Sequence, residues 1–185
     1  MTLDHDFTAP AEILRDNLHL FSACPLPGPV LDLACGKGQN GLFLAEHGHE
    51  VHFIDRDSKV LEQIRHAGMI LNLKVHVRRT DLEAGTDNPM PQDSFGAVLV
   101  FRYLHRPLMP AIKKSLRKGG IVFYQTFTSH QAALGRPTNP DFLLRDQELY
   151  SWFQDWEILH YFEGKKQDPQ EYLAEIIARK PEADR

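Results

Sequence analysis

Strand-like apolar runs alternate with helical stretches along the 185 residues, which predicts an α/β fold: a doubly wound, mainly parallel sheet with helices on both faces. Two further observations sharpen that prediction. The first apolar run ends in Cys35-Gly36-Lys37-Gly38-Gln39-Asn40-Gly41, a glycine turn that opens a helix. The last two runs are separated by a polar turn and read as an antiparallel hairpin. At this length one domain, 1–185, is expected, burying about 70% of its unfolded surface.

The elements follow in order. Residues 1–28 are expected to hold an N-terminal helix and a proline-rich lead-in (Pro25, Pro27, Pro29). Pro29 to Ala34 is a short apolar strand, and Gly41 to Gly48 reads as a helix with Leu42, Leu44 and Ala45 on one side. Val51 to Ile54 is a second strand, ended by Asp55. From Ser58, apolar Val60, Leu61, Ile64 and Ala67 recur at helical spacing, with Asp57 or Ser58 as N-cap. Leu73 to Val77 is a third strand, stopping near Asp81, and the stretch from Glu83 to Asp93 reads as loop.

Phe95 to Phe101 is a strand buried on both faces. Pro107 to Leu116 is a helix closed by a Lys118-Gly119-Gly120 turn, before a fifth strand from Ile121 to Phe127. Residues 128–145 form a long insert, read as an acceptor lid against the alternative of a structural Ω-loop. Asp146 to Phe153 is a short helix whose Trp152 and Phe153, with Trp156, read as core rather than as a stacking platform. Trp156 to Phe162 and Glu171 to Arg179 are the hairpin strands, around a turn from Gly164 to Pro169.

Composition excludes several classes. With 42% hydrophobic and 25% charged residues, the chain is neither disordered nor fibrous as a whole. No apolar run reaches the roughly 18 residues a membrane helix needs, and the acidic start MTLDHDFTAPAEIL does not read as a secretory signal. Cys24 and Cys35 lack the companions of a zinc site and read as reduced thiols of a cytoplasmic protein. Asp and Glu (25) outnumber Lys and Arg (21), for a net charge of −4, which weighs against a nucleic-acid partner. The ten histidines are scattered and do not by themselves mark a metal site, so none is expected.

Chemistry concentrates at the strand ends, where ligands bind in open α/β sheets. Gly36 and Gly38 permit positive φ and close approach of a ligand to the backbone, and the helix beyond offers free N–H groups. With Gly41 they also match G-x-G-x-x-G, so an NAD(P)-dependent oxidoreductase must be weighed. Asp32 argues against it, since a carboxylate there suits a cationic group and would repel a pyrophosphate. Asp55, 19 residues after Gly36, is placed to accept both hydroxyls of a ribose. Asp81 stands at the height of an adenine. Three acids ending three successive strands are far more specific than any one of them.

The succession LDLACGKG, VHFIDRD, RTDLE, FGAVLVFRYLH and LRKGGIVFYQTF closely resembles class I S-adenosylmethionine-dependent methyltransferases over residues 28–180. Within them it is most similar to the small bacterial tellurite-resistance and thiopurine types. The resemblance implies a Rossmann-like, seven-stranded sheet whose last strand is antiparallel, with S-adenosylmethionine as cofactor. It further implies that Asp32, Ala34, Gly36 and Gly38 hold the methionine moiety and that Asp55 binds the ribose. Arg56 would flank the adenine, Asp81 and Leu82 would contact its edge and face, and Phe101 would offer its carbonyl to the methionine ammonium. Cys35 departs from many relatives; it reads as a packing choice or a thiol lining the pocket, with no base partner to make it catalytic.

For the acceptor, Phe101-Arg102-Tyr103-Leu104-His105-Arg106 carries neither a [D/N]-P-P-[Y/F] motif nor a Pro-Cys nucleophile, which counts against base methylation. Tyr103 and His105 are the candidates beside the methyl group, His105 as a general base. Arg102, Arg106 and Arg136 suit an anionic acceptor. Tyr124 and Gln125 point either into the core or into the pocket. The expectation is therefore methyl transfer to a small polar or anionic molecule by a monomer or homodimer. RNA or protein methylation is the alternative, favoured by a basic face of Arg102, Arg106, Lys113, Lys114, Arg117 and Lys118. A non-catalytic cofactor-binding module is a further one.

Overall fold

The computed structural model describes residues 9–22, 26–85 and 90–182. Seven strands form one sheet: β1 (Val30–Leu33), β2 (Val51–Asp55), β3 (Val75–Arg79), β4 (Phe95–Phe101), β5 (Leu116–Phe127), β6 (Glu157–Gln167) and β7 (Gln170–Arg179). Their order is β3-β2-β1-β4-β5-β7-β6. β1 to β5 are mutually parallel, and β7 enters antiparallel between β5 and β6. The sheet therefore reverses its winding between β1 and β4, which opens a crevice at their carboxyl ends.

The helices are α1 (Glu12–Asp16), α2 (His19–Ser22), α3 (Gln39–Glu46), α4 (Ser58–Ile70), α5 (Met109–Ser115) and α6 (Glu148–Phe153). Because successive strand residues face opposite sides, the buried runs of β1 and β4 feed two cores. Leu31, Leu33, Val98 and Val100 pack on one face with Phe153 and Trp156. Val30, Ala97, Leu99 and Phe53 pack on the other with α3, α4 and the N-terminal helices. Trp152 packs against the first core, in keeping with the sequence reading.

The boundaries move where hydrogen bonds override pattern. α3 begins at Gln39, ahead of the expected Gly41, because the left-handed Gly38 caps it and the Leu42 N–H reaches the Gly38 carbonyl. Asp57 is the N-cap of α4, accepting the Lys59 N–H. β3 starts two residues late, since the Leu73 N–H closes α4 on the Gly68 carbonyl. The expected turn at Lys118-Gly119-Gly120 is instead the bent start of β5, bonded to Lys180 through Gly119 and Gly120. The hairpin turn shrinks to Asp168-Pro169. Where one N-terminal helix was expected, the described residues hold two, and Cys24 lies outside the described residues.

The 128–145 insert is anchored at both ends. Thr128 bridges Leu144, which is fully buried, and the Arg106 guanidinium donates to the carbonyls of Asp141 and Leu143. Among the described residues no helix is long and apolar enough to cross a membrane.

Candidate cofactor and acceptor site

The turn after β1 is built from left-handed residues: Ala34 (φ +52°), Gly36 (φ +52°) and Gly38 (φ +75°). The glycines do different work. A Cβ on Gly38 would stand 2.6 Å from Ile64 Cδ1, and one on Gly41 would collide with the Phe53 ring and approach Asp32 Oδ2 to 2.8 Å. These two let the turn and α3 press onto the sheet. A Cβ on Gly36 would meet nothing within 4 Å. Its bare side faces open space, the cradle a ligand needs.

Asp32, in β1, is only 2% exposed, and its Oδ2 accepts the Gly41 N–H at 2.9 Å. Burial pushes its pKa up to about 8, against the Gly41 bond and with help from the charge of Asp55. A cation beside it would restore the ionised form. Asp55, ending β2, accepts the Gly36 N–H through Oδ2 and the Asp57 N–H through Oδ1, both at 2.9 Å. The carboxylate is thereby oriented by two backbone groups. For Cys35, burial and then the charges of Asp32 and Asp55 push the thiol far above its ordinary range. The thiol is thus held neutral and is only 7% exposed.

Two cavities of about 610 and 620 Å³ lie at the carboxyl ends and share Ala34 and Arg102. The first gathers Asp55, Arg56, Asp81, Leu82, Tyr103 and Arg136. The insert contributes Pro137 and Phe142 to it, beside Thr126 and Phe127 of β5. The second gathers Asp32, Cys35, Gly36, Phe101 and Gln125, under α1 and the β6–β7 hairpin. At the boundary, left-handed Arg102 makes a two-point ion pair with Glu171 (2.8 and 2.8 Å) and lies 5.0 Å from the centre of the Phe127 ring.

Three expected site residues stand elsewhere. Gly38 lines neither cavity and acts from beneath through its fit to Ile64. His105 lines neither cavity; its carbonyl accepts the Leu108 N–H at the start of a 3₁₀ turn. Arg106 is engaged by Glu148 through two nitrogens (2.7 and 2.8 Å) and by the insert's carbonyls, so it is a strut rather than an acceptor ligand. Arg136 does line the first cavity, and its side chain makes no ion pair with any described residue.

Gln39, Asn40, Lys166 and Glu175 line the second cavity beyond the residues expected from the sequence. The Gln39 Oε1 and Tyr103 hydroxyl are buried without a hydrogen-bond partner among the described residues, one at each cavity. Such orphaned atoms in a native fold call for a ligand or water. Burial, then the nearby Glu83 and Asp81 carboxylates, push the Tyr103 phenol above its usual range. Asn40 accepts the Ala11 N–H at 2.8 Å, fixing the N-terminal segment over the second cavity. Glu175, 1% exposed, accepts from Gln125 at 2.8 Å and Lys166 at 3.1 Å. Gln39 and Asn40 were findable as the first residues after the glycine turn; Glu175 and Lys166, on separate strands of the hairpin, carry no local signal.

A glycine turn with an acid at each of three strand ends, on a sheet of order 3-2-1-4-5-7-6, defines the class I S-adenosylmethionine-dependent methyltransferase fold. The cofactor of that class, S-adenosylmethionine, fits the residues present: the open face of Gly36, the buried carboxylate of Asp32 and the orphaned Gln39 and Tyr103 atoms. The model of the tellurite resistance protein TehB family matches residues 16–169, and the chain belongs to that family. It is 27% identical over 144 residues to the probable S-adenosyl-L-methionine-dependent methyltransferase TehB of Haemophilus influenzae, covering 75% of this chain and 49% of that protein. To the tRNA 5-carboxymethoxyuridine methyltransferase of Escherichia coli it is 24% identical over 156 residues, covering 70% of this chain and 60% of the relative. The crystal structure of TehB from Haemophilus influenzae superimposes with a TM-score of 0.79 at 22% identity, covering 95% of this chain and 64% of that one. The chain spans about half the length of the TehB relative it matches.

Proposed function

We propose that the chain is a cytoplasmic methyltransferase that uses S-adenosylmethionine to methylate a small anionic or polar molecule. The observation that carries the reading is the contrast among three arginines. Arg102 and Arg106 are each held by a carboxylate, whereas Arg136 reaches the first cavity with no partner among the described residues. A guanidinium presented that way suits a carboxylate or another oxyanion. The family's link to tellurite, itself a small oxyanion, is consistent with it.

When bound, the cofactor supplies an electrophilic methyl group on a sulfonium. The chain's own residues position and shield. Asp55 accepts from the ribose hydroxyls, Asp81, Leu82 and Arg56 hold the adenine, and Asp32 and the Phe101 carbonyl receive the methionine ammonium. Pro137 and Phe142 of the insert, with Tyr103, wall the acceptor from water, so rate comes mainly from positioning. Tyr103, whose phenol stays protonated at neutral pH, is a donor to the acceptor rather than a base.

A tRNA acceptor is the second reading, favoured by the tRNA methyltransferase relative. The expected basic face weighs against it: Lys113 binds Asp155 and the Trp152 carbonyl, Arg117 binds carbonyls of Pro27 and Asp93, and Arg102 and Arg106 are paired. Transfer of labelled methyl groups to a panel of small carboxylates and oxyanions, tellurite included, set against total tRNA, tests the choice. Labelling of an anionic small molecule that collapses in Arg136→Ala supports the proposal. Labelling of tRNA alone overturns it, and cofactor binding without any transfer marks a binding module.

A further inference from the structure

Far from the cofactor groove, at the amino-terminal end of the parallel sheet, the fold brings together three side chains that the sequence leaves scattered. His52 of β2 and His76 of β3 are register partners on adjacent strands, and Glu50 immediately precedes β2. The Nε2 atoms of both histidines converge on Glu50 Oε1, at 3.1 Å from His52 and 3.3 Å from His76. The two imidazole rings lie with centroids 4.6 Å apart, and the three ligand atoms all fall within 4.8 Å of one another.

We propose that Glu50, His52 and His76 form a binding site for a divalent transition metal of the zinc type. Metal–nitrogen and metal–oxygen bonds of about 2.0–2.2 Å in a tetrahedron place ligand atoms about 3.3–3.5 Å apart. Two of the three separations are already close to that value, so little movement completes the site. Two imidazoles and one carboxylate are the donor set that zinc accepts, with a fourth position left to water.

The backbone supports the geometry. The Glu50 carbonyl accepts the Val30 N–H at 2.9 Å, the Val51 N–H donates to the Lys74 carbonyl at 2.9 Å, and the β2–β3 ladder fixes the histidine pair. The ring of Phe95 stands edge-on to His52, limiting its rotation. The charge of Lys74, which acts on Glu50, opposes a cation. A metal here would pin β3, an edge strand, to β2. His52 lies three residues before Asp55, about 10 Å along the strand, so the site is separate from the cofactor groove.

The test uses chelator-treated chain, with Zn²⁺ in equilibrium dialysis and Co²⁺ as an absorbing reporter. One equivalent is expected to bind, with the visible spectrum of tetrahedral nitrogen and oxygen ligation. His76→Ala and Glu50→Gln should each weaken it by more than about tenfold, the least that loss of even an outer partner costs. His66→Ala, on α4, should leave it unchanged, and S-adenosylmethionine titration should be the same for wild type and His76→Ala. Equal binding in wild type, His76→Ala and Glu50→Gln, a thiolate band in the Co²⁺ spectrum, or no stoichiometric binding overturns the proposal.

Discussion

Asp55 Oδ2 accepts the backbone N–H of Gly36 at 2.9 Å, so the end of β2 and the glycine turn after β1 are joined across 19 residues by a carboxylate that also lines the first cavity. Asp55→Ala should therefore weaken S-adenosylmethionine binding by about 1–3 kcal/mol through lost charge-assisted bonds. Asp55→Asn, which keeps an oxygen for Gly36, should recover part of the loss. Calorimetry on the three proteins checks this, and equal affinities would remove Asp55 from the site.

Asp32 carries a pH signature. With its pKa near 8, it is mostly protonated in the free protein at neutral pH, whereas a cationic ligand favours the ionised form. Binding should release a proton, and affinity should rise as pH climbs towards 8. It should then fall as the ligand's own α-amino group, of ordinary value about 8, loses its charge. Asp32→Asn should bind weakly and lose the rising limb. For stability the sign is opposite: the folded state holds an extra proton between the ordinary value of 3.8 and about 8, so the wild-type protein loses stability as pH rises through that window. Asp32→Asn should flatten that slope, which denaturant melts at several pH values would show.

The arginines should separate by readout. Arg106→Ala removes the strut between Glu148 and the insert's carbonyls and should cost about 1–3 kcal/mol of stability, read from the denaturation midpoint. Arg136→Ala should leave stability within about 0.5 kcal/mol, as for a surface change, and raise KM for the acceptor. His105→Ala should keep most of the turnover, well short of the roughly hundredfold drop that follows removal of a general base. A hundredfold loss there would mean that His105 reaches the acceptor after all.

Gly41→Ala should destabilise by about 1–3 kcal/mol, because its Cβ would overlap the Phe53 ring and crowd Asp32. Gly36→Ala has room, so its stability cost should be limited to the left-handed φ, roughly 1 kcal/mol, while cofactor affinity falls as the methyl fills the cradle. Urea melts paired with cofactor titration distinguish the two.

These positions also show what was legible in the sequence. Sheet composition, the hairpin and the placing of Asp32, Asp55 and Asp81 at the strand ends were readable because each rests on local pattern: a strand run, then a glycine or an acid at its end. The Lys118-Gly119-Gly120 turn was misread because its fate depends on Lys180, a partner some sixty residues away. The same reason separates Arg106 from Arg136. Both are arginines near polar loops, and only the arrival of Glu148 in the fold occupies one of them. His105 looked catalytic by adjacency to β4, yet the chain turns into a 3₁₀ segment that carries it away from the cavities.

Calorimetric titration with S-adenosylmethionine and S-adenosylhomocysteine, with NADH as control, should be done first. Binding of both adenosyl compounds at roughly micromolar Kd, lost or weakened in Asp55→Ala and absent for NADH, is the predicted result. NADH binding, with neither adenosyl compound taken up, would contradict the assignment of Asp32, Asp55 and Asp81 to this cofactor.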